Sequence, residues 1–166
     1  QALYVSFYTN NSAYMIHPKN DSTIFKTNNQ FANIDTLQYG NATTGSERIM
    51  SFVDSNRGFC YGTTGSFSFP TRLRRLSNNS IRMDLNHLDA TGILPVIDME
   101  LGLASINNRV YACSEYGKIF WSQNFGQHWN EQQTPVNTTV RSIAFATPNL
   151  GIALTAEGVI YTKNGG

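Results

Sequence analysis

Short apolar runs alternate along the whole chain with turns rich in Asn, Ser, Gly and Asp. No stretch of helical length keeps apolar residues at i, i+3, i+4 and i+7, while mixed aromatic and β-branched runs recur, so the pattern predicts an all-β chain. Residues 1–9 read as a first strand, which Asn10-Asn11-Ser12 turns into Ala13-Tyr14-Met15-Ile16. A loop at 17–21 leads to a run at 22–29, and a polar connection spans 28–46. Arg48-Ile49-Met50-Ser51-Phe52 and Gly58-Phe59-Cys60-Tyr61 flank a turn at 54–57. Gly62-Thr63-Thr64-Gly65 is expected to turn the chain into Ser66-Phe67-Ser68-Phe69, which Pro70 ends because proline gives no donor to a ladder. Residues 71–100 are the least regular, with alternating half-exposed strands at 71–76 and 81–85. Strands are then expected at 101–106 and 110–113, a hairpin unit at 117–129, and short strands at 140–146, 151–154 and 159–162.

The chain repeats itself. Residues 48–60 align without a gap on residues 141–153, and Arg48, Phe52, Asn56 and Gly58 coincide with Arg141, Phe145, Asn149 and Gly151. Gly65 then falls on Gly158, with Gly117 in the same place between them. The glycine spacings of 52 and 41 residues lie within or near the period of a propeller blade, built from four short strands. The expected organisation is one propeller-like domain over 1–166, with about four units at 1–46, 47–100, 101–139 and an incomplete 140–166.

The segment Ser122-Gln123-Asn124-Phe125-Gly126-Gln127-His128-Trp129 resembles the Asp-box, or BNR repeat, Ser-x-Asp-x-Gly-x-x-Trp, with Asn124 where the family usually has Asp. Thr162-Lys163-Asn164-Gly165-Gly166 is similar to the start of a second box, and Thr27-Asn28-Asn29-Gln30-Phe31 to a degenerate one. Residues 141–166 also resemble repeats of the photosystem II assembly-factor type. The resemblance implies a β-propeller in which each box caps the hairpin between the third and fourth strands of a blade. Residue chemistry alone gives Ser122, Asn124, Gly126 and Trp129 structural tasks: hydroxyl and amide groups bond turn backbone, glycine permits positive φ, and tryptophan anchors the blade. The same tasks are expected of Thr162, Asn164 and Gly166. Asp-box propellers usually have more blades, so the resemblance implies a partial or small propeller, extended by further blades or completed by a neighbouring chain.

Charge narrows the function. Only 14% of residues are charged and the formal net charge is +1, which gives no electrostatic argument for nucleic acid. No apolar run approaches a membrane span. The neutral polar composition leans toward a secreted, cell-surface or virion setting, although the five Asn-x-Ser/Thr sequons carry no weight in a chain so rich in these residues. Cys60 and Cys113 are too few for a disulfide framework and are expected as free thiols.

Candidate binding residues are few. Arg48 and Arg141 recur at equivalent blade positions, where they could bind an anion, and a repeated surface arginine is the simpler expectation. Arg72, Arg74 and Arg75, with Arg82 nearby, form the one basic cluster, suited to phosphate or an acidic partner. His17, His87 and His128 lack metal-ligand spacing, and no metal or cofactor is expected. Asp84, Asp89, Asp98 and Glu100 are loosely grouped, with nothing to place two of them across a substrate. Sialidases use this type of propeller, but their Phe/Tyr-Arg-Ile-Pro motif is absent. Tyr8, Tyr14, Tyr39, Tyr116 and Trp121 are candidate stacking surfaces for carbohydrate, or inter-blade packing residues. The expected role is a non-catalytic binding or assembly scaffold for a protein partner or glycan. The alternatives are a fragment of a glycan-active hydrolase and a homo-oligomeric subunit completed by another chain.

Overall fold

The computed structural model describes residues 4–16, 23–38, 45–54, 57–64, 72–77, 102–113, 116–126 and 128–166. These residues form fourteen strands and no helix. The strands are β1 (Tyr4–Thr9), β2 (Ser12–Ile16), β3 (Thr23–Thr27), β4 (Asp35–Gln38), β5 (Gly45–Phe52), β6 (Arg57–Thr64), β7 (Arg72–Ser77), β8 (Leu103–Ile106), β9 (Arg109–Cys113), β10 (Lys118–Ser122), β11 (Asn130–Gln133), β12 (Val140–Phe145), β13 (Gly151–Thr155) and β14 (Gly158–Thr162). Every pairing is between sequence neighbours and antiparallel, giving four meanders: β1–β4, β5–β7, β8–β11 and β12–β14. This is the all-β, blade-like architecture expected from the repeat.

Two strands fall where the polar pattern predicts none. β4 lies inside the expected connection 28–46, and β11 lies in the polar link after Trp129. Both are the last strand of a four-stranded meander, bonded on one side only. An edge strand of this kind is largely solvated, so Asn-Glu-Gln-Gln serves as well as an apolar alternation.

A second correction concerns the turn expected at 62–65. β6 runs on through Gly62, Thr63 and Thr64, and the strand bonded to it is β7, beginning at Arg72. Gly65, aligned with the Gly158 that opens β14, lies outside the described residues. The sequence-predicted strands 66–69 and 81–85 lie outside the described residues. A better marker of the period is the last residue of each third strand: Thr27, Ser77, Ser122 and Thr162, spaced by 50, 45 and 40 residues. Each is followed two residues later by Asn in sequence, as Asn29, Asn79, Asn124 and Asn164. β7 pairs one residue out of step with the others, with Leu76 rather than Ser77 opposite Gly58.

The chain divides into two compact units, residues 1–85 and 86–166. In the first unit the β5–β7 sheet packs on the β1–β4 sheet. Phe52 stacks on Tyr14 at 3.7 Å and 9° between rings, and the Phe52 N–H donates to Ser6 Oγ at 3.0 Å. The second unit repeats the arrangement, with Phe145 of β12 stacked on Tyr111 of β9 at 4.1 Å and 21°. In both units the phenylalanine ring lies over a glycine on the paired strand. A Cβ on Gly58 would come within 2.5 Å of the Phe52 ring, and one on Gly151 within 2.6 Å of Phe145. The repeat identified by Phe52/Phe145 and Gly58/Gly151 is thus a packing device that lets an aromatic ring lie flat between sheets.

Candidate functional site

Among the described residues, the turns that follow β3, β10 and β14 are built by one hydrogen-bond pattern. The Ser122 hydroxyl, wholly buried, donates to Asn124 Oδ1 at 2.9 Å and accepts the Gly126 N–H at 2.8 Å. Asn124 Oδ1 also accepts the His128 N–H at 2.9 Å. At the end of β3, Thr27 Oγ1 donates to Asn29 Oδ1 at 3.3 Å and accepts the Phe31 N–H at 3.0 Å, while the Asn33 N–H reaches Asn29 Oδ1 at 2.9 Å. After β14, Thr162 Oγ1 donates to Asn164 Oδ1 at 2.8 Å and accepts the Gly166 N–H at 2.8 Å. Neutral Asn suffices because the side-chain oxygen works only as an acceptor. The fifth position needs positive φ: Gly126 has φ 77°, whereas Phe31 adopts 68° without glycine's freedom. Trp129 is buried beside its turn.

Between the β8–β11 and β12–β14 sheets lies an open cleft of about 220 Å³. Tyr111 and Ile119 line one wall, Ile143 and Phe145 the other, and Gln132 and Asn164 bring amide groups to the rim. No lining residue is charged. The Tyr111 side chain is buried and its hydroxyl makes no hydrogen bond, so a donor stands unused beside the cleft. The rim loop from Gln133 to Val136 is fixed from below. The Gln133 amide donates to the Tyr116 carbonyl at 2.9 Å, and Thr134 donates its N–H to the Gly117 carbonyl at 2.8 Å and its hydroxyl to that of Val136 at 2.9 Å. Gly117 has φ 71°, and any side chain there would strike the Val136 carbonyl.

The sequence-predicted residues fall as follows. Arg48 and Arg141 are both the bulged residue of a first strand, where the ladder slips between Glu47 and Ile49 and between Val140 and Ser142. Arg141 is exposed. The two arginines therefore share one place in the ladder. Arg72, Arg74 and Arg75 lie in β7 opposite Gly62, Cys60 and Phe59. Arg82, Tyr39, His17, His87, Asp84, Asp89, Asp98 and Glu100 lie outside the described residues. His128 is exposed in its turn. Among the described residues no group of His, Cys, Asp or Glu is placed to hold a metal ion, and no helix is long and apolar enough to cross a membrane.

The described aromatic candidates differ in their surroundings. Tyr14 is buried between sheets; Tyr8 donates to Asn28 Oδ1 at 2.6 Å; Tyr116 is exposed at a positive φ; and Arg109 lies 5.6 Å over Trp121. Cys113 is a buried free thiol, and burial pushes its pKa up to about 12, opposed by backbone hydrogen bonding at Gly102. The Tyr14 phenol is also pushed up to about 12, by burial first and then by Tyr8 and Asp54. The cleft itself escaped the sequence reading. Its signal was the recurrence of Phe145 in the position of Phe52, which places an inter-sheet contact but not its gape.

No protein-family model matches the chain, and no curated protein matches it in sequence. Solved structures do. The chain is similar to the GH74 enzyme of Niastella koreensis at TM-score 0.65 and 13% identity, covering 98% of this chain and 28% of that one. It is similar to YCF48 from Cyanidioschyzon merolae at TM-score 0.60 and 14% identity, covering 97% of this chain and 50% of that one. It is also similar to the computationally designed Ika4 protein at TM-score 0.55 and 12% identity, covering 99% of this chain and 92% of that one. The chain thus spans half of the YCF48 chain and about a quarter of the GH74 chain, whereas it spans nearly all of Ika4. These neighbours are propellers, and the fold of this chain is that of β-propeller blades.

Proposed function

We propose that this chain is a non-catalytic Asp-box propeller module that binds a protein partner through the cleft beside Tyr111, in a secreted, surface or virion setting. The Asp-box reading is supported by the hydroxyl–Asn–amide pattern at Ser122, Thr27 and Thr162. Those bonds hold each turn within its own blade, which makes them scaffold rather than ligand contacts. The single observation carrying the binding reading is the lining of the cleft: aliphatic and aromatic walls, an amide rim and no charge. Such a surface suits an extended, uncharged peptide segment, whose backbone groups can meet Gln132 and Asn164 at the rim while its apolar side chains rest on the walls.

The test is titration of the purified chain with a panel of uncharged apolar peptides and with neutral and sialylated oligosaccharides, alongside an assay for released sugar. Saturable peptide binding is expected. Gln132→Lys, which brings a charge to the cleft rim, should weaken it by about tenfold, or ~1.4 kcal/mol. Release of sugar would establish the hydrolase alternative instead. Peptide binding that Gln132→Lys leaves unchanged would remove the cleft from the proposal.

A further inference from the structure

The β5–β6 and β12–β13 turns align residue for residue but differ in charge. In the first unit Asp54 and Arg57 close the turn as an ion pair at 2.7 Å, and the Arg57 backbone N–H donates to the same carboxylate at 2.9 Å. In the second unit the aligned positions are Thr147 and Leu150, so the turn itself carries neither charge. A guanidinium reaches it from the neighbouring sheet instead. Arg109, the first residue of β9, is half-buried and lies 5.6 Å over the Trp121 ring. A Cβ on Gly165 would stand 3.2 Å from its Nη1 atom, 3.0 Å from the Pro148 carbonyl oxygen and 3.5 Å from Asn149 Oδ1, so these groups are gathered beside Gly165.

This cation has no counter-charge. Among the described residues Arg109 makes no hydrogen bond and no ion pair, and its side chain is held only by the face of Trp121. Of the acids described in the second unit, Glu131 is held by Lys118 at 2.6 Å, and Glu157 lies in the β13–β14 turn at the other end of the strands. A guanidinium over an indole keeps its five N–H donors for other partners, and its fork fits the two oxygens of a carboxylate. The place adjoins the cleft: Gly165 lines it, and Trp121 is paired with Tyr111 of its wall. A charge held half-buried at the end of an apolar cleft gains more from a carboxylate than one in open solvent does.

We propose that Arg109, with Trp121 beneath it and the β12–β13 turn beside it, forms an anion subsite at the end of the cleft and takes a carboxylate of the bound peptide. The bound segment then has two parts, an uncharged stretch on the cleft walls and one carboxylate beside Gly165, in the role that Asp54 plays for Arg57. That carboxylate is the peptide's own C-terminus or an acidic side chain, two sources of the same chemistry that the experiment separates. The subsite rests on the reading of the cleft as a peptide site, and it adds a fixed polarity to the peptide that lies there.

The experiment takes one apolar peptide in three forms: a C-terminal amide, the free acid, and the amide with a glutamate near its end. Each is titrated into the parent chain, Arg109→Gln, Arg109→Lys and Gln132→Lys, with circular dichroism to check folding. A carboxylate form is expected to bind the parent about fivefold more tightly than the plain amide. Arg109→Gln should erase that preference and leave the amide's affinity unchanged, and Arg109→Lys should keep part of it. Preference for the free acid alone assigns the subsite to a C-terminus, preference for the glutamate alone to a side chain, and preference for both to either. Equal binding of all three forms, still weakened by Gln132→Lys, would overturn the subsite and leave the cleft standing. If no form binds, the cleft reading fails and the subsite is read alone, by the Trp121 indole N–H resonance in titrations with N-acetylglycine and with N-acetylglycinamide. A shift with the acid only, lost in Arg109→Gln, would support the subsite; its absence would overturn it.

Discussion

In the first unit Phe52 lies nearly parallel to Tyr14 at 3.7 Å, and both residues are buried. In the second, Phe145 lies over Tyr111 at 4.1 Å and 21°, is only partly buried, and borders a cleft of about 220 Å³. The two stacks stand on the same sequence device, a phenylalanine at the end of a first strand and a glycine paired with it on the second. They differ in what surrounds them. Tyr14 is flanked by Tyr8 at 5.4 Å, and Lys26 approaches its ring at 5.4 Å, so the first stack is closed in by further side chains. The Tyr111 stack opens toward Gln132 and the rim loop. A repeat decides which residues meet, and the unrepeated residues around it decide whether the junction is sealed or left open for a ligand.

The largest effect that breaks this comparison is truncation of the stacking ring. Phe52→Ala removes a buried ring and leaves a cavity among closely packed neighbours, a loss of about 3–5 kcal/mol. Phe145→Ala enlarges a space already open to water, so its cost should fall nearer ~2 kcal/mol. Guanidinium unfolding of the two variants checks the order. Equal losses would mean that the second junction is as tightly sealed as the first.

The turns give a smaller and sharper contrast. Ser122→Ala leaves the buried Gly126 N–H without its acceptor and should cost about 1–3 kcal/mol. Thr162→Ala removes the same pair of bonds at an exposed turn, where water replaces them, and should cost under about 1 kcal/mol. The same denaturation measurement separates them. Matching losses would show that the pattern itself, rather than its burial, sets the stability of these turns.

The sequence made the hairpins legible because their signals are local. The Asn10-Asn11 and Asn107-Asn108 turns and the hydroxyl–Asn turns at Thr27, Ser122 and Thr162 are each settled within a few residues. β4 and β11 were not legible, since an outer strand bonded on one side needs no apolar alternation. The β6–β7 connection misled for another reason: Gly62 and two threonines look like a turn but extend the ladder opposite β5. The matching arginines were visible, but the bulge at both positions is a property of the ladder and not of the residue type. Contact across sheets was hinted at only by Phe52 and Phe145. Their tyrosine partners sit on other strands at unequal spacing, so the aligned repeat never paired them.

The smallest contrast separates the units by pH. Tyr14 belongs to the first unit and Cys113 to the second, and burial raises both groups to about 12, from 10.0 and 9.0 respectively. A raised acid keeps its proton in the folded chain after the unfolded chain has lost it. The stability this represents is whole below the unfolded value and is lost as pH rises toward the folded one. The second unit should therefore start to weaken above pH 9, and the first above pH 10. Tyr14→Phe should remove the part of the alkaline decline that begins near pH 10, and Cys113→Ala the part that begins near pH 9. Denaturant midpoints taken from pH 8 to 11 measure both. If Tyr14→Phe declines as steeply as the parent, ionisation of Tyr14 is not opposed by its place under Phe52, and the first junction is wetter than its ring geometry implies.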